Sequence, residues 1–295
     1  MTIMTSPART ARAVITTMRP RQWTKNVLVL AAPLAAGVVW TRGTILDVVG
    51  TFIAFTLAAS AIYLLNDVID AEADRKHPRK RTRPVAAGLL AAPTALFCSG
   101  MCVGLGVGIG YVIAPRLAAT LGIYVVLQIT YALWLKRQAV IDLAIVASGF
   151  LLRAIAGGVA VDVPLSQWFL LVASFGSLFM VAGKRYSELR SIGAAAGTRK
   201  TLEAYSESYL RFVWSLAAAI TITAYSLWAF EITSAGDVNW QAVSIAPFVI
   251  GLLRYAVDVD RGLAGEPEEA VLRDPILQII GVTWLVVFAI GVYSS

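Results

Sequence analysis

Long apolar runs separated by short polar stretches dominate this chain. An α-helix needs about 20 residues to cross a hydrocarbon core. Windows of that length predict nine helices, near 26–41, 48–65, 92–113, 118–135, 141–161, 166–183, 210–231, 241–257 and 275–293. The polar stretches alternate in character. Of the 25 Lys and Arg residues, 22 lie within 9–25, 66–84, 136–137, 184–211 and 254–273. Arg42 and Arg116 fall in the intervening loops, and Arg153 falls inside a predicted helix. Cytoplasmic loops carry the excess of Lys and Arg. The pattern therefore predicts an all-α integral membrane bundle of nine transmembrane helices, with the N-terminus in the cytoplasm and the C-terminus outside.

Composition agrees. The chain is 58% hydrophobic and 15% charged, against about a quarter charged in soluble domains. Its net charge of +7 then describes one membrane face and excludes a nucleic-acid surface. Cys98 and Cys102 share an apolar run and read as reduced packing residues. A single histidine, His77, argues against His-based metal sites and against a Ser-His-Asp triad. The chemistry falls to carboxylates, amides and cations. Residues 1–25 lack the apolar core of a cleaved signal peptide. With Arg9, Arg12, Arg19 and Arg21 among small apolar residues, they form a cytoplasmic arm. It is either an interfacial helix on an anionic leaflet or a disordered basic tail. Residues 26–295 make one catalytic domain.

Acids crowd the same face as the bases. They are Asp67, Asp70, Glu72 and Asp74, then Glu188, Glu203 and Glu207, then Asp258, Asp260, Glu266, Glu268, Glu269 and Asp274. Mixed acid and base at one end of a bundle predicts a cytoplasmic-facing polar chamber, in which acids hold a divalent cation and bases hold phosphates around it. The sharpest stretch is 63–84, "YLLNDVIDAEADRKHPRKRTRP". Asp67, Asp70 and Asp74 stand at i, i+3 and i+7, one helical face, with Asn66 beside them. Like charges this close raise one another's pKa unless positive charge lies between them. Partly hydrated Mg²⁺ bridged to a diphosphate meets that need. A solvated helix end neutralised by nearby arginines is the alternative.

"NDVIDAEADR" resembles the first aspartate motif, N-D-x-x-D-x-x-x-D, of the UbiA prenyltransferase superfamily, and "RTRPVAAG" resembles the Arg-Pro and Gly that follow it. "YALWLKRQAVIDLAIVASGFLLRAIAGG" is similar to the family's fourth and fifth helices, with Tyr131, Lys136, Asp142 and Arg153 in place. The resemblance covers nearly the whole chain. It implies a nine-helix UbiA-like bundle in the plasma (inner) membrane with Mg²⁺, or Mn²⁺, on a diphosphate substrate. Asn66, Asp67, Asp70 and Asp74 become the metal set, and the three aspartates the catalytic ones.

One departure matters. Where the family supplies further aspartates after the sixth helix, this chain reads "GKRYSELR", in which Lys184 and Arg185 are basic and Glu188 is the only acid nearby. Extra positive charge suits a substrate richer in phosphate than a prenyl diphosphate. With "RPRQWTKN" and "RYAVDVDRGLAGEPEEAVLRDP", this resembles one branch of the superfamily. That branch transfers 5-phosphoribose from phosphoribosyl pyrophosphate (PRPP) to decaprenyl, or another polyprenyl, phosphate on the way to cell-wall arabinan. It implies phosphate contacts from Lys25, Asn26, Arg83, Lys136, Lys184 and Arg185, with Tyr186 beside them. Glu188, Asp258 and Asp260 are candidates for the ribose hydroxyls. Homo-oligomerisation is open to such a bundle without a fixed number.

Arg153 lies 11 residues beyond Asp142, about 16 Å along a helix. An intramembrane charge is a functional-site hypothesis by default: it lines the chamber floor, meets the lipid phosphate, or is held as a structural pair. "GLGVGIG" (104–110) lies in an apolar span and reads as close helix packing. Tyr205 and Tyr209 read as amphipathic packing of a surface helix. Trp23, Trp40, Trp134, Trp168, Trp214 and Trp240 read as an interfacial belt. Two rival functions share parts of this pattern. An aromatic prenyltransferase needs the missing second acid motif, and a transporter needs an inverted repeat or broken helices.

Overall fold

The computed structural model describes residues 7–78, 80–192, 202–232 and 238–293, and every regular element among them is helical. The side chains of Glu203 and Glu268, expected among the clustered acids, lie outside the described residues. In chain order the α-helices are α1 (Pro7–Thr17), α2 (Ala31–Ala35), α3 (Arg42–Ile69), α4 (Ala71–Lys76), α5 (Ala92–Ile113), α6 (Pro115–Leu133), α7 (Ile141–Ala160), α8 (Gln167–Ile192), α9 (Glu207–Glu231), α10 (Trp240–Asp260), α11 (Pro267–Arg273) and α12 (Pro275–Tyr293). Eight of them, α3, α5–α10 and α12, are long and apolar enough to cross a membrane. The chain is a multi-pass membrane protein.

The first expected span, 26–41, is the exception. There the chain runs as a 3₁₀ helix, Pro20–Leu30, into the short α2, which carries Pro33, and turns at Gly37 with φ +70°. A 3₁₀ helix eclipses residues three apart. Asn26, Val29 and Ala32 follow that period and are all buried. Apolarity is conserved along the segment while the helical period is not, so hydropathy alone reads it as one more span.

The helices group into two compact units, and α7 contributes to both. The first unit comprises residues 1–33, 39–135 and 152–163. Its main core joins Val29, Phe55, Ala58, Leu117, Leu121, Tyr124 and Ala156. Small residues let backbones approach where lipid offers no hydrophobic drive between helices. A Cβ on Gly106 of α5 would lie 2.9 Å from the Ala54 carbonyl of α3, and one on Gly110 would lie 2.5 Å from Leu121. The glycine run is thus packing surface, as its apolar setting predicts. The approach at Gly157 is closer still, with a Cβ only 1.8 Å from the Val29 carbonyl. A smaller core of Ala61, Leu64, Val85, Leu90, Ala95 and Cys102 receives Ala13 of α1, so this helix docks on the unit while Arg9 and Arg12 stay exposed.

The second unit comprises residues 34–38, 136–151 and 164–295. Leu143, Phe179, Tyr186, Leu210, Tyr255 and Val259 form its core. Trp214, expected in the belt, is partly buried and packs against this core, edge-on to Tyr186 at 6.2 Å and near Phe179 at 6.3 Å. Trp40 and Trp134 are exposed as the belt requires. Tyr205 departs from its expected place. It precedes α9, follows a 3₁₀ turn at Leu202–Ala204, and is buried.

Candidate functional site

In the first unit, the aspartate stretch ends α3 and begins α4. Asp70 sits at the junction with φ −91° and ψ 2°, the sparsely allowed bridge region where many active-site residues lie. The hydrogen-bond ladder nevertheless continues, from the Asp70 N–H to the Asn66 carbonyl and from the Asp74 N–H to the Asp70 carbonyl. Asp67 and Asp74 point inward and are almost fully buried, whereas Glu72 is exposed. Two guanidiniums meet the buried pair. Arg83 Nη1 donates to Asp74 Oδ2 at 2.6 Å and lies 3.5 Å from Asp67 Oδ1. Arg19 Nη2 donates to the same Asp67 oxygen at 2.6 Å. Arg83 is fixed by the turn that follows it, since Pro84, Val85, Ala86 and Leu90 are buried and the Ala87 N–H returns to the Arg83 carbonyl. Arg19 adopts a left-handed conformation, φ 56° and ψ 67°, uncommon for a residue with a Cβ, and its guanidinium lies 4.7 Å from the Tyr63 ring centroid.

Among the described residues no three His, Cys, Asp or Glu side chains converge as a metal-holding group. The donor set still suits a hard cation. Asn66, Asp67, Asp70 and Asp74 offer only oxygen ligands beside the amide nitrogen, and a single positive atom, Arg83 Nη1, already reaches two of their carboxylates. Mg²⁺ takes this chemistry, commonly with one or two carboxylates and substrate phosphates.

Deeper in the first unit lies Arg153, buried within the membrane-spanning part of α7. Its Nε donates to Asn26 Oδ1 at 2.7 Å and its Nη2 to the Tyr124 hydroxyl at 3.2 Å. The Tyr124 and Phe55 rings lie 5.0 and 5.5 Å away. Asn26 is fully buried and donates in turn to Thr56 at 3.0 Å. Both ends of its amide are therefore engaged, the oxygen by Arg153 and the nitrogen by Thr56, and its burial sets Asn26 apart from the surface expected of a phosphate contact. Lys25, its neighbour, is half-buried on the 3₁₀ segment.

In the second unit the "GKRYSELR" stretch lies on α8. Arg185 forks onto Asp142, Nε to Oδ2 at 3.1 Å and Nη2 to Oδ1 at 3.3 Å, while its Nη1 meets Glu188 at 2.9 Å. Lys184 pairs with Glu266 at 3.1 Å and lies 3.8 Å from Glu188. Tyr186 is fully buried, and its hydroxyl donates to Asp260 Oδ1 at 3.3 Å and accepts from Arg211 at 2.6 Å. Asp258 is half-buried on α10, four residues after Arg254. Lys136 is half-buried in a 3₁₀ turn, Leu135–Arg137, just before α7. The Tyr205 hydroxyl accepts the Val140 N–H at 2.7 Å. Burial pushes the Tyr205 phenol up, with that N–H partly opposing, so it stays neutral.

The structure thus gathers Asp67, Asp74 and Arg83 in the first unit, and Lys184, Arg185 and Glu188 in the second. Arg19 joins the first cluster, Tyr124 holds Arg153, Tyr205 holds Val140 and Arg211 holds Tyr186, none of them assigned to the site from sequence. For Arg19 a signal exists, a basic residue directly before Pro20 and outside the apolar run. For the other three no local signal exists.

The UbiA prenyltransferase family matches residues 27–262. A protein of Mycolicibacterium smegmatis named decaprenyl-phosphate phosphoribosyltransferase is 48% identical, over 98% of this chain and 95% of its own length. A Mycobacterium tuberculosis protein of the same name is 50% identical, over 95% and 94%. Among solved structures, a UbiA homolog from Archaeoglobus fulgidus bound to DMAPP and Mg²⁺ superimposes with a TM-score of 0.71, at 15% identity, covering 95% of this chain and 98% of the other.

Proposed function

The chain belongs to the UbiA prenyltransferase family, and on that premise we propose that it transfers 5-phosphoribose from PRPP to a polyprenyl phosphate, decaprenyl phosphate being the acceptor its relatives' name specifies. The observation that carries this reading is identity of 48–50% over almost the full length of relatives so named. The basic stretch at Lys184–Arg185, in place of further acids, supports it over prenyl transfer to an aromatic acceptor.

In this reaction an oxygen of the lipid phosphate attacks the ribose anomeric carbon. The bond from that carbon to the diphosphate breaks, and the diphosphate leaves with the electron pair. The transition state resembles an oxocarbenium ion, so stabilising the leaving group and aligning two anions dominate catalysis. The acceptor is already an anion near neutral pH and needs no strong base. Asn66, Asp67, Asp70 and Asp74 would hold Mg²⁺, which would supply charge neutralisation on the diphosphate. Arg19 and Arg83 pair with Asp67 and Asp74 and are candidates for the diphosphate oxygens. Lys25, Lys136 and Lys184 are candidates for the remaining phosphate groups, and Glu188, Asp258 and Asp260 for the ribose hydroxyls, while Arg185, forked onto the enclosed Asp142, is a brace. Arg153 is held in the first unit by Asn26 and Tyr124. The site faces the cytoplasm of the inner membrane, where PRPP is dissolved, and the acceptor chain stays in lipid.

The test is transfer of labelled ribose 5-phosphate from PRPP to decaprenyl phosphate by the purified protein with Mg²⁺, beside Asp70→Ala. Lipid-linked label that disappears in the variant is the expected result. Label that survives removes the aspartates from the mechanism. Prenyl transfer to an aromatic acid without label refutes the proposed reaction.

A further inference from the structure

Val140 has φ 69°, a region that is an outlier for a β-branched residue. The Ile141 N–H returns to the Ala139 carbonyl at 2.8 Å. With positive φ at the central residue, this is the rare, strained form of γ-turn. Burial does not offset the strain, because the Val140 side chain is 55% exposed. Strain of this kind persists only where surrounding contacts over-determine it, and it gathers at ligand-binding segments.

Two contacts do the holding, both within the second unit. Upstream of the helix, the Tyr205 hydroxyl takes the Val140 N–H at 2.7 Å. Tyr205 is itself buried, and its ring stacks on Tyr209 with centroids 5.8 Å apart and planes 11° apart. Two residues on, Asp142 is gripped by Arg185, and α7 takes up its ladder at once, the Asp142 N–H reaching the Gln138 carbonyl at 2.9 Å. Between these anchors and the end of α6 lie Lys136 and the exposed Arg137 and Gln138. A relaxed turn would let Lys136 swing with the loop. A pinned one fixes where the segment carrying Lys136 ends.

We propose that Tyr205 is a positioning residue, whose hydroxyl holds the strained turn at Val140 so that Lys136 is presented to a phosphate of PRPP. This rests on the reaction proposed above. The interaction is indirect, since Tyr205 touches the turn and not the substrate.

The experiment compares wild type, Tyr205→Phe and Tyr205→Phe with Val140→Gly in the transfer assay. Phenylalanine keeps the ring stack and removes one hydrogen bond of ordinary strength, so KM for PRPP should rise about five- to tenfold. KM for decaprenyl phosphate and kcat should stay within about twofold, since neither depends on the turn. Glycine reaches positive φ without strain, so the double variant should recover most of the lost PRPP affinity. A merely structural tyrosine would move both KM values and kcat together and would not be rescued by Val140→Gly. Either of those results, or an unchanged KM for PRPP, overturns the proposal. Trypsin cleavage after Arg137 in detergent gives a second reading that needs no turnover. Cleavage should be faster in Tyr205→Phe and slower again in the double variant, and equal rates refute the pinning. Three proteins that cleave in this order, with a wild type that transfers nothing from PRPP, sink the reaction and the role of Lys136 in it and leave the pinned turn standing.

Discussion

The two buried arginine–carboxylate clusters differ in which partner reaches solvent. In the first unit the acids are enclosed and the bases are not: the side chains of Asp67 and Asp74 are 2% and 4% exposed, those of Arg19 and Arg83 32% and 28%. In the second unit both members are enclosed, Arg185 at 6% and Asp142 at 2%. A partly exposed guanidinium can turn to an arriving ligand, provided the ligand's cation takes its place beside the enclosed acid. A fully enclosed one cannot, because breaking a buried pair leaves an uncompensated ion. The same two residue types therefore make a ligand-responsive cluster in one place and a fixed brace in the other.

By that contrast, the first cluster should fail chiefly in activity and the second in folding. The largest effect is expected from Asp67→Asn. It keeps size and hydrogen bonding and removes the charge, so transfer should fall by about 10²–10³-fold, the usual loss on removing one group that stabilises transition-state charge. Far-ultraviolet circular dichroism should be unchanged. EDTA should abolish transfer by the wild type, and added Mg²⁺ should restore it. Activity that persists in EDTA would place the aspartates outside the chemistry altogether.

Arg185→Ala should behave the other way. Asp142 would remain buried and charged, a loss of about 3–5 kcal/mol, seen as a lower thermal midpoint in detergent and a poor yield of monodisperse protein. Arg83→Ala also takes the partner from the enclosed Asp74, so the midpoint should fall, but by less than in Arg185→Ala once Mg²⁺ is added, and kcat/KM for PRPP should fall with it. An Arg185→Ala protein that is stable but inactive would erase the distinction and return Arg185 to the phosphate contacts.

Gly157→Ala probes the scaffold beneath the first cluster. The new methyl would lie 1.8 Å from the Val29 carbonyl, so α7 and the 3₁₀ segment must separate. Overpacking of this kind costs about 1–3 kcal/mol or more. Because Asn26 rides on that segment and holds Arg153, activity should fall along with stability.

These clusters were legible in the sequence to unequal depth. The aspartates stood out because four acids directly follow an apolar run, and Arg153 because charge inside a span is rare. Their partners were not legible. Arg153 is held by Asn26, 127 positions away, and by Tyr124, 29 away, and no local pattern encodes such pairings. Eight spans follow from apolar length alone. The segment 26–41 does not, since its buried Asn26, Val29 and Ala32 repeat every third residue and hydropathy is blind to period. Arg185 reads as one more base in a basic loop until the buried Asp142 is seen opposite it. Val140 carries no signal at all, because a valine in a left-handed turn is a choice made by its surroundings.

A third ion pair grades the comparison at its mild end. Asp274 caps α12, its Oδ1 accepting from Ile276 and Leu277, while Arg254 Nε donates to its Oδ2 at 2.6 Å. The Arg254 hydrogen bond, with the two N–H groups assisting, holds the Asp274 carboxyl below its ordinary value of 3.8. A depressed carboxylate contributes stability above the unfolded value, and that contribution is lost as pH falls through the folded one. Asp274→Asn keeps an oxygen for the cap and removes only the charge. Its thermal midpoint should therefore lie about 1–2 °C below wild type at neutral pH, as befits a solvent-screened pair. The gap should close as pH drops below 3.8, where the wild-type carboxyl takes up its proton. A gap that stays constant with pH would mean that the cap, and not the charge, is what Asp274 supplies. The graded series would then have only its two buried members.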